Sequence, residues 1–360
     1  MFSKLPGGPW RFLLLPFSLL YWLGIGIRNW LYDRHILKSS AFGLPLVCVG
    51  NLAAGGTGKS PMVEYLVDKL RTKFRVATLS RGYKRKTQGY ALANPSTTAL
   101  EIGDEPMQFH LKFPGIPVAV GESRLEAIPQ LLHDRPETEI IILDDAFQHR
   151  SIRAGLNILL TEREQLFTRD FFLPVGTLRD QKKSARRAQL IIVTKCDPGM
   201  DQQEKEIVVR ELSPARGQAV FFTTLDYGQL FHIIHRDQAV LNSGVNVLLV
   251  TGIANPIPLQ RFITNASGRV DTMHYSDHHL YTIDDLREIK SRFEKLEGDH
   301  KIIISTEKDA VRLYKFQSEL ENLPVYIIPV RHRFLFNEEE KFLGIVCDFA
   351  EKKPINDQVK

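Results

Sequence analysis

Residues 51–61 read NLAAGGTGKSP, and this stretch decides the fold. The preceding segment LPLVCVG (44–50) is apolar, and the following segment PMVEYLVDKLRTK (61–73) has the spacing of an amphipathic helix. A strand, a glycine-rich loop and a helix in this order are typical of a P-loop, where backbone N–H groups and the helix N-terminus bind phosphate. The sequence therefore predicts a nucleotide-binding site at this loop.

Each position of the loop has an expected role. Lys59 should reach the β- and γ-phosphates, and the Ser60 hydroxyl should ligate Mg²⁺. One position departs from the pattern G-x-x-x-x-G-K-[ST], because Ala53 stands where the first glycine is expected. The residues expected to bind the phosphates are Ala53, Ala54, Gly55, Gly56, Thr57, Gly58, Lys59 and Ser60.

Apolar runs alternate with helical stretches along the rest of the chain. The first set comprises LPLVCVG (44–50), RVATLS (75–80), IPVAVG (116–121), EIIILDDAF (139–147), LNILLT (156–161), AQLIIVT (188–194) and AVFFTTL (219–225). The second set comprises VNVLLVTGI (245–253), HKIIIST (300–306) and LPVYIIPV (323–330), with an amphipathic helix at 284–297. Nearly continuous apolar runs indicate parallel strands covered on both faces.

These patterns predict an α/β fold with two domains, because 360 residues exceed one ordinary core. We expect a P-loop NTPase-like parallel-sheet domain over residues 39–225 and a linker, with room for a small ribbon, over 226–244. A second, smaller α/β domain is expected over residues 245–360.

The N-terminus has a different character. Residues 12–27 carry no charge, but a helix of that length reaches only ~24 Å, whereas a bilayer core is ~30 Å thick. The continuation RNWLYDRHILK (28–38) mixes aromatic and basic side chains, which favours a membrane-interfacial helix over residues 1–38. A spanning anchor and an ordinary buried helix remain alternatives.

The bulk composition bounds the partners and the compartment. The net charge of +5 suits an anionic partner without choosing among nucleotide, phospholipid and nucleic acid. The three cysteines, Cys48, Cys196 and Cys347, are widely spaced without a CxxC pair. This usage argues against a disulfide framework or a thiolate metal site and favours a reducing compartment.

Four polar motifs follow or join the predicted strands. IIILDDAFQH (140–149) ends a strand in Asp144 and Asp145, which predicts a Mg²⁺ site beside the P-loop. GDEPMQ (103–108) and YSDHHLY (275–281) offer a catalytic acid and a histidine pair, with a helix cap and a solvent-facing turn as alternatives. TKCD (194–197) resembles the guanine-reading NKxD element, or is a polar turn, and it keeps a GTPase alternative open.

Taken together, the motifs resemble one family. VGNLAAGGTGKSP, SRGY, GDEPMQ, GESR, LDDAFQHR, LPVGTLRD, VTKCD, SDHHLY and STEKDAVR occur in this order, and the set is similar to the tetraacyldisaccharide 4'-kinases of Gram-negative envelope synthesis. The resemblance implies transfer of the γ-phosphoryl group of ATP, with Mg²⁺, to the 4'-hydroxyl of a tetraacylated glucosamine disaccharide 1-phosphate, giving lipid IVA. It also implies two α/β/α domains around a cleft and an N-terminal helix attached to the cytoplasmic face of the inner membrane.

The resemblance also assigns roles to individual residues. Lys59 and Ser60 keep their P-loop roles, Asp144 and Asp145 form the metal-binding pair, and Asp104 with His278 forms a dyad that activates the sugar hydroxyl. The dyad spans both domains, so domain closure is expected. The remaining contacts with the substrate or transition state fall on Glu105, Arg81, Arg124, Gln148 and Arg179.

The competing reading is a membrane-associated P-loop GTPase of the metal-chaperone or targeting type. The signature lysine of that deviant P-loop would fall at Ala54, which argues against it. The expected partners are the acylated disaccharide 1-phosphate and inner-membrane lipids, without a nucleic acid.

Overall fold

Two mostly parallel sheets contain the predicted strands. The computed structural model describes residues 13–352. Its strands are β1 Leu46–Asn51, β2 Val76–Ser80, β3 Ala91–Leu92, β4 Val118–Val120, β5 Ile140–Asp144, β6 Leu156–Glu162, β7 Leu190–Thr194, β8 Ala219–Tyr227, β9 Leu230–His232, β10 Gln238–Ala239, β11 Asn246–Thr251, β12 Val270–His274, β13 Lys301–Thr306, β14 Val325–Ile328 and β15 Val330–Phe334. Its α-helices are α1 Leu15–Asp33, α2 Lys59–Leu70, α3 Ala99–Ile102, α4 Asp104–Lys112, α5 Arg124–Asp134, α6 Gln202–Leu212, α7 Ile257–Ala266, α8 Ile283–Lys295, α9 Glu307–Leu313, α10 Gln317–Leu320 and α11 Glu339–Glu351.

The first sheet has nine strands in the order β15-β8-β7-β6-β1-β5-β2-β4-β3. The inner strands run parallel, and β3 and β15 pair antiparallel at the two edges. Strand β1 is buried at every position. Its alternate side chains enter different cores, with Leu46 and Cys48 in one and Val47 and Val49 in the other. The prediction of a parallel sheet covered on both faces is therefore confirmed.

The position of β1 creates a binding crevice. It lies between β5 and β6, and Val49 stands in register with Asp144. Because parallel strands end at the same edge of a sheet, the glycine-rich loop after β1 and the acids after β5 become neighbours. Helix α2, which follows the loop, buries Val63, Leu66 and Leu70 against this sheet.

The second sheet has the order β10-β9-β14-β13-β11-β12. Strands β11 to β14 are parallel, and β9 and β10 add an antiparallel hairpin at one edge. Helix α8 buries Leu286, Ile289 and Phe293, which share one face at helical spacing. Its Thr282 cap accepts a hydrogen bond from the Asp285 N–H, so the helix predicted at 284–297 is confirmed near its predicted limits.

The predicted domain limits differ from the structure. The segment LPVYIIPV looks like one strand, but Pro329 divides it, since proline cannot donate to a sheet ladder. Beyond Pro329 the chain returns to the first sheet as β15, and Phe342 of α11 packs against Phe334 at a ring separation of 4.7 Å. The second unit therefore spans about residues 230–328 rather than 245–360. Within the predicted linker, residues 226–227 belong to β8, and β9 with β10 forms the small antiparallel ribbon.

Helix α1 lies against the first unit. Pro16 stands in its first turn, where a missing N–H costs nothing. Leu19 and Leu20 expose about two thirds of their surface, whereas Ser18 and Asn29 are buried. Across the described residues 13–352, the helices all fall short of the length and apolar character needed to cross a membrane. Residues 1–12 of the predicted interfacial segment lie outside the described part of the chain.

Candidate active site

The glycine-rich loop ends at a glycine with a left-handed backbone conformation. Gly58 immediately precedes α2 with φ +86°, a left-handed conformation that side chains rarely adopt. An added Cβ would also lie 3.1 Å from the ring of His332. Lys59 and Ser60 begin α2, so the helix N-terminus and the loop amides face the same crevice. The local conformation is that of a phosphate-binding loop.

Hydrogen bonds with the surrounding residues hold the loop in place. Asn51 Nδ2 donates to Thr57 Oγ1 over 3.0 Å, and the Ala54 N–H donates to the Thr177 carbonyl over 2.7 Å. The Thr194 hydroxyl donates to the Thr57 carbonyl over 2.9 Å. Thr194 opens the TKCD motif, so this motif supports the loop at the end of β7. That role matches the polar-turn alternative.

His332 lies beneath the loop and was not anticipated from the sequence. Its Nε2 is 2.9 Å from the Gly58 carbonyl, and its Nδ1 is 2.9 Å from the Thr223 hydroxyl. Both contacts are satisfied by a neutral ring that donates from Nε2 and accepts at Nδ1. Burial lowers the pKa of His332 to about 4. A neutral imidazole therefore holds the turn at Gly58.

Asp144 is a carboxylate buried at the end of β5. It exposes 3% of its surface, and Ser80 Oγ donates to its Oδ2 over 3.3 Å. Within residues 13–352, its Oδ1 is buried with no hydrogen-bond partner. Burial raises the pKa of Asp144 to about 7, and the nearby charges of Glu105 and Asp145 add to the effect. An oxygen in this state suits a divalent cation, because a cation would supply the missing contact.

Asp145 is paired, in contrast to its neighbour. Arg179 donates to both carboxylate oxygens, over 2.8 and 3.2 Å, and Lys59 Nζ lies 3.8 Å away. Burial alone would raise the pKa of Asp145, but Lys59 and Arg179 outweigh it and hold the pKa at about 2. The two adjacent acids therefore differ, since Asp145 pairs with two protein cations and Asp144 keeps an unpaired carboxylate oxygen.

A second cluster joins the two units above the loop. His278 Nδ1 lies 2.9 Å from Asp104 Oδ2, and Arg312 donates to the same oxygen over 2.8 Å. Burial raises the pKa of Asp104, but hydrogen bonds and charge from His278 and Arg312 hold it below its usual value. The predicted pairing of Asp104 with His278 is present, and the contact is already closed. Oδ1 of Asp104 remains open to a ligand, since all of these contacts use Oδ2.

The nucleotide loop and the Asp104 cluster are contiguous. Ser60 Oγ donates to Glu105 Oε1 over 3.1 Å, and Lys308 Nζ lies 3.5 Å from the same carboxylate oxygen. Because Glu105 follows Asp104 in the first turn of α4, one short helix start links the two clusters. A group bound at the loop would therefore lie close to Asp104.

Arg312 and Asp309 are site residues that the sequence reasoning did not assign. Asp309 is fully buried and accepts from the Gly252 N–H over 3.0 Å and from Thr306 Oγ1 over 2.7 Å. Arg312 Nη1 lies 3.4 Å from Asp309 and carries its other nitrogens to Asp104. The available signal was the STEKDAVR motif, which places these charges directly after an apolar strand.

Three more of the residues predicted to contact the substrate or transition state lie around the strand ends. Arg124 is 1% exposed and donates to the carbonyls of Gly121 and Asp144, so it supports the backbone behind Asp144. Gln148 Nε2 donates to the Asn51 carbonyl over 2.7 Å. Arg81 is exposed directly after β2. Of the three predicted arginines, only Arg179 donates to a carboxylate of the paired acids.

The neutral state of His332 predicts a pH-dependent stability. The ring titrates near 6.5 when unfolded and near 4 when folded, so only the unfolded chain gains a proton between these values. Stability should be full above pH 6.5 and fall as the pH drops, by about 2 kcal/mol at pH 5. Urea unfolding measures the free energy of unfolding at pH 7 and at pH 5. We expect His332→Gln to remove the part of the difference between these two values that comes from the ring. An unchanged difference in the variant would contradict the assignment.

Comparisons with known proteins agree with this geometry. A family model described as tetraacyldisaccharide-1-P 4'-kinase matches residues 10–349. The chain is 42% identical over 357 residues to a tetraacyldisaccharide 4'-kinase of Bacteroides thetaiotaomicron, covering 95% of this chain and 94% of that protein. It is 40% identical over 337 residues to the Flavobacterium johnsoniae kinase, covering 92% and 95%.

A solved structure agrees as well. The LpxK protein of Aquifex aeolicus, crystallised in complex with ATP, superposes with a TM-score of 0.73 at 28% identity. The match covers 94% of this chain and 99% of that one. With its loop, its paired acids and its relatives all in agreement, the chain belongs to the tetraacyldisaccharide-1-P 4'-kinase family.

Proposed function

We propose that the chain transfers the γ-phosphoryl group of ATP to the 4'-hydroxyl of a tetraacyl glucosamine disaccharide 1-phosphate, forming lipid IVA. The observation that carries the proposal is the Asp104–His278 contact, which lies one residue from the Ser60–Glu105 bond of the phosphate loop. An acceptor-activating group thus adjoins a phosphate site. Family membership and the ATP complex of the Aquifex aeolicus relative support the same activity.

The donor side uses the loop and its first helical turn. The loop amides and Lys59 bind the triphosphate, and Lys59 exchanges its 3.8 Å contact with Asp145 for phosphate oxygens. Ser60 and Asp144 would hold Mg²⁺, whose charge offsets that of the phosphates. The described residues contain no group of three His, Cys, Asp or Glu side chains placed to hold a metal ion. A Mg²⁺ site of this class does not need one, because phosphate and water complete it.

The acceptor side uses Asp104. Its Oδ1 accepts the hydrogen of the sugar hydroxyl, while His278 and Arg312 fix the carboxylate through Oδ2. A carboxylate of lowered pKa is a weak base but a good hydrogen-bond acceptor. That suffices here, because phosphoryl transfer through a loose transition state needs orientation more than strong proton abstraction.

The cations around Asp145 stabilise the negative charge of the transition state. Arg179 holds Asp145 through two hydrogen bonds and presents its guanidinium beside Lys59. Arg81, exposed at the end of β2, is positioned for the acceptor's phosphate or the transferred group. We assign Arg124 and Gln148 to shaping the strand ends and Glu105 to orienting Ser60.

Because the acceptor carries acyl chains, the reaction is expected at a lipid surface. Helix α1 exposes Leu19, Leu20 and Leu23, with Trp22 and Trp30 half exposed. Aromatic and aliphatic side chains beside Arg28 and Arg34 suit a membrane interface. We therefore place the protein at the cytoplasmic face of the inner membrane, held by α1, where its acceptor is embedded.

A transfer assay tests the function. With ATP and the disaccharide 1-phosphate in detergent, mass analysis should find the 4'-phosphorylated product. Lys59→Ala should lower turnover roughly 100-fold or more, because a cation that stabilises the transferred group is lost. Lys73→Ala, an exposed lysine beyond α2, is the matched control. Saturable use of GTP without use of ATP would overturn the proposal in favour of the GTPase alternative.

The Asp104 cluster should behave as one unit. Asp104→Asn and His278→Ala should each lower kcat by roughly 100-fold, because each disturbs acceptance of the hydroxyl proton. The double variant should lose little more than either single variant, since groups that act together are not additive. His279→Gln, which changes the adjacent histidine paired with Asp285, should keep most of the turnover. Fully multiplicative losses would contradict a shared role.

The apolar face of α1 should determine lipid binding. Replacing both Leu19 and Leu20 by Glu should weaken sedimentation with anionic phospholipid vesicles roughly tenfold or more, because two exposed apolar side chains no longer enter the interface. Val240→Glu, an equally exposed apolar residue of the second unit, is the control. Unchanged sedimentation of the double variant would mean that another surface meets the lipid.

A further inference from the structure

The segment 177–180, which carries Arg179, is held by helix α1. The Tyr21 hydroxyl donates to the Arg179 carbonyl over 3.1 Å, and Asn29 Nδ2 donates to Asp180 Oδ1 over 2.7 Å. Ser18 Oγ donates to the Phe172 carbonyl over 2.8 Å, at the start of the same loop. The helix and the loop lie about 150 residues apart in sequence, so these contacts define how α1 docks.

Asp180 is the centre of the docking contact. It is 1% exposed, and Asn29 is 2% exposed. Besides Asn29, its carboxylate accepts from Ser184 Oγ over 2.9 Å and from Arg187 Nη2 over 2.8 Å. A buried carboxylate with its acceptors filled permits few arrangements, because each lost partner leaves a buried charge short of a hydrogen bond. The Asn29–Asp180 bond therefore sets where α1 lies relative to the segment 177–180.

The other side of the segment meets the phosphate site. The Arg179 N–H donates to the Leu52 carbonyl over 2.7 Å, and the Thr177 carbonyl accepts from Ala54. The Arg179 guanidinium holds Asp145. A continuous path thus runs from Asn29 through Asp180 and Arg179 to Asp145.

The two faces of α1 have different requirements. Attachment to lipid needs only the exposed apolar face of Leu19 and Leu20. It gives no reason for a buried asparagine aimed at a buried aspartate, since burying polar groups is costly unless they are paired. The polar face of α1 therefore has a function inside the protein.

We propose that Asn29, assisted by Tyr21, is a positioning residue for Arg179, so that helix α1 aligns the transition-state guanidinium as well as attaching the protein to lipid. The inference rests on the proposed function, because Arg179 matters only if phosphoryl transfer occurs at Asp145. A guanidinium displaced by about 1 Å is expected to slow the reaction by roughly 10- to 100-fold.

The first experiment measures turnover on a detergent-dispersed acceptor, where lipid attachment is not required. Asn29→Ala should lower kcat roughly 10- to 100-fold, with KM for ATP changed by less than about threefold. In an Arg179→Ala background, the same substitution should cost almost nothing further. Asp33→Asn is the matched control, because it removes one charge that holds Arg150, whose bond to the Asn29 carbonyl remains, and it leaves the Asn29–Asp180 bond in place.

A wild-type kcat in Asn29→Ala, or a full additional loss in the Arg179→Ala background, would overturn the inference. If Asn29→Ala does not fold, Tyr21→Phe carries the same test, since it removes only the hydrogen bond to the Arg179 carbonyl.

A second measurement separates this inference from the proposed function. Amide hydrogen exchange at residues 177–180 should accelerate in Asn29→Ala or Tyr21→Phe and stay unchanged in Asp33→Asn. A wild-type chain without transfer activity would contradict the proposed function, and the exchange result would still decide whether α1 holds the segment. Unaltered exchange in both variants would overturn the positioning role.

Discussion

A carboxylate buried at the end of a strand is the constraint on which the site depends. Asp144 is the last residue of β5, whose two faces are covered, and the described residues leave its buried Oδ1 without a hydrogen-bond partner. Lys59 and Arg179 are directed to Asp145 instead, and Arg124 donates to the backbone carbonyl of Asp144 rather than to its carboxylate. The two adjacent acids therefore have different pKa values. Lys59 and Arg179 lower the pKa of Asp145 to about 2, whereas burial raises that of Asp144 to about 7, so an added cation would be needed to favour its ionised form. The proposed metal position and the placement of Arg179 both depend on this difference between the two acids.

Helix α4 connects this centre to the second unit at both of its ends. At its N-terminus, Asp104 meets Arg312 of α9. At its C-terminus, Lys112 bridges Glu64 of α2 and Glu307 of α9, each over 2.6 Å. Arg312 and Glu307 both belong to α9, and His278 joins Asp104 from the loop after β12. A shift of α4 would therefore disturb the Asp104 cluster and the contact with α2 together.

The sequence predicted the features that leave a local pattern. Strands such as β1 and β5 are buried on both faces and appear as unbroken apolar runs, and the loop before Lys59 carries its own glycine signature. Strand β15 was missed because VRHRF alternates polar and apolar residues after a proline. Strand β12 was missed because it is an edge strand that is only partly buried.

Side-chain roles were harder to predict than strands, because burial depends on the whole fold. Arg124 and Arg179 occur in equally short motifs, yet one is enclosed behind Asp144 and the other holds Asp145. His332 has no motif, and its role appears only when β15 is placed beneath Gly58. Helix α1 extends the same lesson. Its apolar pattern predicted contact with lipid, but the buried Asn29 on the opposite face donates to Asp180, next to Arg179, so one helix carries the proposed lipid-binding face and a contact with the segment beside Asp145.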